Sequence, residues 1–177
     1  MAVLGRSVVG RSAWLLLMML TSAGCRIGPA QWGPFRGQIV DAETGAPIAG
    51  AHFMVMWERD NPNPVHWTQS FYDAQETVTD ADGRFEIPRQ QRLFTLLVGT
   101  PRFDAFAPGY VAESSEVTPR AGQVYVDPTI LKMRRLETRE EQCKHEPFGI
   151  GGRFPKSEAP RFSTAIDEYV ERLACRR

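Results

Sequence analysis

Short runs of alternating apolar and polar residues dominate the middle of this chain. Residues 35–40 alternate between apolar and polar side chains, which is typical of a strand with one buried face. In residues 51–57 the odd-numbered positions are all apolar, while the even-numbered positions are His52, Met54 and Met56. Successive strand residues point to opposite faces. This second strand is therefore predicted to be covered on both sides.

Five further runs are predicted to be strands because turn-forming residues separate them. They are residues 84–88, 93–98, 103–106, 124–126 and 129–133. Seven short strands with turns between them predict a mainly β protein, a β-sandwich. Residues 58–71 contain Asn-Pro-Asn-Pro and show little periodicity, so they are predicted to form a long loop or irregular arm.

The end of the chain has a different pattern. Residues 137–143 are charged and could form a helical turn or two, and residues 148–160 are rich in Gly and Pro, which predicts a loop. Residues 163–174 are predicted to be a helix with Ser163 as its N-cap. Its apolar stripe, with Ile166, Tyr169 and Leu173, has the spacing of one helix face and needs a surface to cover, most simply the sandwich.

The first residues are typical of a secretory signal. Arg6 and Arg11 precede or border an apolar run at residues 13–20, small residues follow at 21–24, and no acidic residue occurs before Asp41. The run is shorter than a helix needs to cross ~30 Å of hydrocarbon. Residues 1–24 are therefore predicted to be a signal helix that is removed on export, the alternative being an uncleaved anchor.

The residues before Cys25 resemble the lipobox of bacterial lipoproteins, in the order Ser22, Ala23, Gly24, Cys25. The resemblance implies a lipid on Cys25, which would be the first mature residue and would anchor the chain to the membrane. That family usually has Leu where this chain has Ser22. Arg26 stands where the family's retention signal is Asp, which implies an outer-membrane lipoprotein facing the periplasm; a soluble periplasmic protein is the alternative. Residues 25–33 are predicted to be a tether.

The charge balance and the cysteines argue against nucleic-acid binding and a zinc site, and they predict a disulfide. The chain has 21 basic and 21 acidic residues. It therefore lacks the basic excess that would indicate nucleic-acid binding. In an oxidising compartment Cys143 and Cys175 are predicted to form a disulfide, the alternative being two free thiols. A zinc site would require two more ligands, and only His145 is close in sequence.

Candidate reactive groups are sparse and scattered. Asp80 and Asp82 before Gly83 faintly resemble the start of a calcium loop, but a tight turn explains them without the missing ligands. His52, His66 and His145 are not at ligand spacing, and no Ser lies in a nucleophile turn. The sequence therefore predicts no enzyme activity, no metal and no cofactor.

One aromatic group stands out as a candidate binding surface, in and beside the predicted arm. It consists of Trp57, His66, Trp67, Phe71 and Tyr72. Such side chains could stack on a sugar ring or cover a partner. The alternative is that they fold back over the second strand, because an exposed patch of that size promotes aggregation.

A string of turns in order resembles the carboxypeptidase regulatory-like domain. It comprises residues 37–41, 44–51, 79–88 and 107–110. The resemblance covers residues 34–136 and implies a seven-stranded prealbumin-like sandwich that serves as an accessory module without a catalytic set. Intradiol dioxygenases share a related sandwich, but their paired Tyr and His iron ligands have no counterpart at matching spacing here. Residues 137–177 would be a C-terminal extension.

Three functions follow as hypotheses. The first is a non-catalytic envelope lipoprotein whose sandwich binds an envelope protein or glycan. The second is a transthyretin-like small enzyme or ligand carrier with its site at residues 57–72. The third is a structural subunit of a larger envelope assembly, joined through residues 137–177.

Overall fold

Nine strands and two helices make up the part of the chain that the structure, a computed structural model, describes: residues 30–62, 68–92, 97–116, 129–145, 147 and 154–175. The strands are β1 (Ala30–Trp32), β2 (Phe35–Asp41), β3 (His52–Asn61), β4 (Thr68–Val78), β5 (Arg84–Ile87), β6 (Gln90–Arg92), β7 (Arg102–Phe106), β8 (Glu113–Glu116) and β9 (Thr129–Met133). The helices are α1 (Arg139–Lys144) and α2 (Pro160–Leu173). The protein is mainly β, as the alternation predicts.

The strands form one four-stranded, one three-stranded and one two-stranded sheet. The four-stranded sheet has the order β4-β3-β7-β8 and is antiparallel throughout. The three-stranded sheet has the order β5-β2-β9, in which β2 and β9 run parallel. β1 pairs with β6 apart from them. The predicted strand at residues 124–126 lies outside the described residues, so the seven-strand composition of the sandwich stays a prediction.

A hydrophobic core joins the two larger sheets into a β-sandwich. Its members come from both sheets and from the turns beside them: Phe35, Ile39, Ile48, Ala51, Phe53, Val55, Trp57, Phe85, Ile87, Ala105, Ala107 and Met133. The rings of Phe53 and Phe85 stack across the interface at 3.9 Å between centroids. The odd-numbered positions of the second strand thus face inward, as predicted.

Two even-numbered residues of that strand, Met54 and Met56, are also buried, because α2 covers the outer face of the four-stranded sheet. Met54, Met56 and Phe106 pack there against the helix residues Phe162 and Tyr169. The Phe106 and Tyr169 rings meet edge-on at 5.5 Å. The molecule therefore has three layers, a three-stranded sheet, a four-stranded sheet and a helix, and the predicted apolar stripe of α2 does cover the sandwich.

The helix α2 begins earlier than predicted. Pro160 is its first residue and Ser163 lies buried inside it, so Ser163 is not the N-cap. The cap residue Ala159 supplies no side-chain hydrogen bond. Instead, the Glu76 carboxylate on β4 accepts the Arg161 N–H at 3.0 Å and the Phe162 N–H at 2.7 Å. A side chain distant in sequence thus provides the acceptors that helix N-termini require.

The end of α2 is fixed by α1. Cys143 and Cys175 form a disulfide, as predicted. The Arg139 guanidinium also donates a 2.6 Å hydrogen bond to the Leu173 carbonyl, one of the carbonyls that a helix end leaves without an internal partner. The helix α1 itself begins with a capping box formed by Thr138 and Glu141.

Several sequence-based boundaries were wrong. Residues 58–71 were expected to be irregular, but β3 continues to Asn61 and β4 begins at Thr68. The polar side chains of these strand ends conceal the alternation. In the predicted strand 93–98, residues 93–96 lie outside the described part, Leu97 has a positive φ, and Val98 makes only an isolated bridge.

Four strands were missed altogether: β4, whose residues 72–78 were assigned to no strand, and β1, β6 and β8. β8 pairs with β7 at the edge of the four-stranded sheet. β1 occupies the last part of the predicted tether, residues 25–33, and pairs with β6. Both β1 and β6 have only three residues, too few for alternation to distinguish them from loop.

Candidate functional site

Three of the five predicted site residues lie in the described part of the chain, and they do not share one surface. Trp57 is 0% exposed and lies between the sheets, with its ring edge-on to Phe35 at 5.8 Å. Phe71 packs with the cluster under α2, whereas Tyr72 packs against the inter-sheet core. His66 and Trp67 lie outside the described residues, as does Cys25.

A β-bulge separates Phe71 from Tyr72. Trp57 pairs with Asp73 and Glu58 pairs with Phe71, so Tyr72 is the extra residue on β4. A bulge of this kind re-aims a side chain and increases the local twist. Tyr72 consequently lies on the same face as the inward residues of β3.

Beyond Trp57 the β3–β4 hairpin continues past the last core residue of β3; we call residues 58–61 and 68–72 the hairpin arm. Its two strands are joined by side chains as well as by backbone. The Asn61 amide donates to the Ser70 hydroxyl at 3.0 Å, and the Gln69 amide donates to the Asp60 carboxylate at 3.1 Å. The arm is thus a polar extension of the hydrophobic sandwich.

A third segment of chain supports the arm along β3. The Asp60 N–H donates to the Leu97 carbonyl at 2.8 Å, and the Gly99 N–H donates to the Glu58 carbonyl at 2.9 Å. Val98 forms a bridge with Arg59. At this point the arm therefore consists of three paired segments, β3, β4 and residues 97–99, which makes it more rigid than an isolated two-stranded hairpin.

Arg59 and Tyr72 form a stacked pair at the base of the arm. The guanidinium carbon lies 4.6 Å from the centroid of the phenol ring. The Arg59 Nε is buried and has no hydrogen-bond partner among the described residues. No described carboxylate forms an ion pair with this guanidinium. The arm thus carries a positive charge held against an aromatic face.

His52 occupies a second polar position, between β3 and α2. It is half-buried, and its ring meets that of Phe162 edge-on at 6.4 Å. Burial lowers the pKa of His52 below its ordinary value, and the nearby Arg161 lowers it further, while Glu76 and Glu168 oppose the shift. Partial burial of the imidazole in this position favours its neutral form.

Asp41 and Tyr110 form a third polar cluster where β2 ends. The Asp41 Oδ1 accepts the N–H groups of Glu43 at 3.0 Å and Thr44 at 2.9 Å. These backbone donors, that of Thr44 first, lower the pKa of Asp41. Burial and the Asp41 charge raise the pKa of Tyr110. Asp41 therefore acts as a turn-forming residue.

The Asp80 turn has a comparable structure. The Asp80 Oδ1 accepts the N–H groups of Asp82 at 2.9 Å and Arg84 at 2.8 Å. It connects β4 to β5, which belong to different sheets, so it is a turn between sheets rather than a hairpin. Among the described residues, no three His, Cys, Asp or Glu side chains are grouped to hold a metal ion.

The helix α2 borders a cavity of about 360 Å³ at some distance along the chain from the arm. Ile166 and Val170 give it an apolar wall, and Lys156 forms an ion pair with Asp167 beside it. A smaller set of residues around the disulfide lines a second, more open depression. Trp57, Phe71 and Tyr72, the predicted site residues that the structure describes, line neither of them.

Comparison with protein-family models and with curated proteins finds no match. Among solved structures, the chain is similar to a streptococcal ancillary pilin (18% identity, TM-score 0.34, 64% of this chain and 31% of that one). It is also similar to the pilus 2b backbone protein of group B streptococcus (17%, 0.38, 60% and 42%). A third is 3-chlorocatechol 1,2-dioxygenase from Rhodococcus opacus 1CP (15%, 0.40, 64% and 63%). The chain thus spans less than two thirds of each of these proteins.

Neither helix that the structure describes has the length and apolar character needed to cross a membrane. The apolar run at residues 13–20 lies outside the described residues.

Proposed function

We propose that this chain is a non-catalytic β-sandwich module of the cell envelope, which binds an envelope protein or glycan through its hairpin arm. The observation that carries the proposal is the arm itself. It continues past the hydrophobic core, and its side chains of Asp60, Asn61, Gln69 and Ser70 contact one another rather than the core. A rigid polar extension of this kind suits a recognition surface.

The proposal includes a carboxypeptidase regulatory-like module with a lipid on Cys25. The turn positions that carry this resemblance have structural roles: Asp41 accepts backbone N–H groups, and Gly83 has a φ of 70°. Such roles support an accessory module, in which these residues form turns. The lipid rests on the order Ser22, Ala23, Gly24, Cys25, and mass spectrometry of the mature N-terminus tests it.

The test of arm binding compares two triple variants of the full mature chain. The arm variant changes Asn61, Gln69 and Ser70 to Ala. The control variant changes three exposed polar residues on the opposite sheet, Arg36, Arg84 and Glu86, to Ala. Each is measured for retention on insoluble envelope material, before and after treatment with protease or with glycan-degrading enzymes.

We expect the arm variant to lose at least about fivefold in retention and the control variant to behave as the unchanged protein. The treatment that abolishes retention identifies the partner as protein or glycan. Equal retention of both variants contradicts the arm as the contact surface. A metal-dependent or nucleophile-dependent activity, abolished by changing one polar residue, contradicts the non-catalytic module.

A further inference from the structure

The two faces of the hairpin arm differ in charge. In the register of β3 and β4, Arg59 lies opposite Ser70 and Asn61 lies opposite Thr68, on one face. Glu58, Asp60, Gln69 and Phe71 belong to the other face. The bonds between Asn61 and Ser70, and between Asp60 and Gln69, agree with this division. Arg59 is therefore the charged residue on its face of the arm, with the acids Glu58 and Asp60 on the opposite face; the nearest acid on the Arg59 face is Asp73, which lies opposite Trp57 at the base of the arm.

Tyr72 restrains the Arg59 guanidinium, and no carboxylate in the described part of the chain neutralises it. The guanidinium carbon lies over the Tyr72 ring, 4.6 Å from the centroid, which limits the positions that the group can take. The buried Nε has no described hydrogen-bond partner, and no described Asp or Glu is paired with the charge. Guanidinium groups match carboxylates with two parallel hydrogen bonds, and orienting the fork in advance lowers the entropy lost on binding.

The neighbouring side chains indicate what carries the carboxylate. Asn61, Thr68 and Ser70 present amide and hydroxyl groups on the same face, and Ser70 and Thr68 are exposed. Amides and hydroxyls both donate and accept, as the hydroxyl groups of a sugar do. A peptide backbone also donates and accepts, but a sugar ring carries several hydroxyls close to its carboxylate, so a saccharide can engage all three side chains beside Arg59.

We propose that the Arg59 face of the hairpin arm, with Tyr72, Asn61, Thr68 and Ser70, binds the carboxylate of a uronic-acid-containing polysaccharide. This rests on the proposed function of the arm as the binding surface and specifies its ligand class. Arg59 binds the carboxylate, Tyr72 orients Arg59, and the three polar side chains bind ring hydroxyls.

The experiment titrates the full mature chain with oligogalacturonate in a calorimeter. The comparison ligands are the fully methyl-esterified oligosaccharide, which lacks the charge, and poly-glutamate, which lacks the hydroxyls. The protein variants are Arg59→Gln, Arg59→Lys, Tyr72→Leu and Tyr72→Phe. Arg84→Gln, which removes an exposed cation from the opposite sheet, is the matched control.

We expect saturable binding of oligogalacturonate and at least about tenfold weaker binding of both comparison ligands. Arg59→Gln raises the dissociation constant for oligogalacturonate by about tenfold or more, as expected for loss of a charge-assisted hydrogen bond. Arg59→Lys keeps the charge without the planar fork, and Tyr72→Leu removes the aromatic ring under Arg59. Each of these variants binds oligogalacturonate several-fold more weakly than the unchanged protein. Tyr72→Phe, which keeps the aromatic ring, loses less affinity than Tyr72→Leu does, and Arg84→Gln binds as the unchanged protein does.

Three results would overturn this assignment: no binding of oligogalacturonate, equal loss in Arg84→Gln and Arg59→Gln, or equally tight binding of poly-glutamate. Urea unfolding of each variant excludes loss through misfolding, and Arg59→Lys, the mildest change, keeps the test decisive if another variant unfolds. If the triple arm variant still loses envelope retention while oligogalacturonate fails to bind, only the ligand class is wrong. If retention is also unchanged, the proposed function fails with it.

Discussion

At Gly83 the backbone leaves no room for a side chain. Its φ is 70°, and a Cβ built there would lie 2.5 Å from the Ile39 carbonyl oxygen and 3.0 Å from the Ile48 nitrogen. The close contact between the backbones of Gly83 and β2 stabilises the fold, because it allows the Ile39 N–H to donate to the Gly83 carbonyl at 2.8 Å. Gly50 has a φ of 73° but nothing within 4 Å of its Cβ position. A side chain at Gly50 would therefore meet only the strain of a positive φ, whereas one at Gly83 would meet the same strain and a steric clash.

We predict that Gly83→Ala destabilises the protein much more than Gly50→Ala does. Gly50→Ala adds only the strain of a positive φ, about 1–2 kcal/mol. Gly83→Ala adds a clash with backbone atoms, so we expect a loss of at least about 3 kcal/mol. Urea unfolding followed by tryptophan fluorescence measures both, and equal losses would show that the close approach is not maintained.

His52 makes stability depend on pH. Because burial lowers its pKa, the unfolded chain takes up a proton at a higher pH than the folded protein does. The contribution of His52 to stability is therefore complete above the unfolded pKa and decreases as the pH falls toward the lowered folded value. The charged groups that act on it are Glu76 from β4 and Arg161 and Glu168 from α2.

We predict that His52→Gln flattens the stability profile between about pH 7 and pH 5. The free energy of unfolding of the unchanged protein should fall more steeply over this range than that of the variant. The difference between the two curves isolates His52 from the carboxylates, which titrate in both proteins. Parallel curves would contradict the shift.

At the scale of elements, α2 depends on a side chain from another layer. Pro160 is favourable at the first helical position, but Ala159 provides no cap. Glu76 accepts two N–H groups in its place, so the four-stranded sheet determines where the helix begins. Such a contact couples helix formation to docking.

We predict that Glu76→Ala lowers stability by about 1–2 kcal/mol, the usual effect of losing an N-cap with charge-assisted bonds. Hydrogen exchange should increase first in the amides at the start of α2. Glu86→Ala is the matched control: it removes a solvent-exposed carboxylate paired with Arg36 and should cost less than about 0.5 kcal/mol. A comparable loss in both variants would argue against capping by Glu76.

At the scale of the whole molecule, the disulfide attaches the last helix to the segment that follows the sandwich. Cys143 and Cys175 are separated by 32 positions. Closing a loop of this length removes conformations chiefly from the unfolded chain. The Arg139 bond to Leu173 acts at the same place without covalent chemistry.

We predict that the double variant Cys143→Ser, Cys175→Ser is less stable by about 3–4 kcal/mol. Adding a dithiol reductant should lower the melting temperature of the unchanged protein and leave that of the double variant as it is. If reductant lowers the melting temperature of both proteins alike, its effect does not come from this disulfide.

The sequence predicts much of the sandwich because burial there follows a local period. Ala51, Phe53 and Val55 alternate with Met54 and Met56, and both faces of β3 are buried, as this pattern indicates. The pairing of Cys143 with Cys175 could also be predicted, because they are the two cysteines that remain when Cys25 is set aside as the predicted lipobox cysteine. The sequence fails where the cause is not local.

The extension of β3 into the hairpin arm depends on pairing with β4 and with residues 97–99, which no pattern within residues 58–61 reveals. The cap by Glu76 likewise depends on tertiary structure, although Pro160 is a sequence signal for the true start of α2. Arg59 was missed as a site residue because its stacking on Tyr72 requires the bulge in β4. The candidate site therefore could not be predicted as one surface.

The cover that α2 provides has a consequence for the newly made chain. Met54 and Met56 are 0% exposed once α2 is in place, but the ribosome makes them long before Pro160. Until the helix arrives, both thioethers are open to oxidants, and a sulfoxide is too polar to pack against Phe162. Oxidation in this interval would leave molecules whose sandwich is complete and whose helix cannot dock.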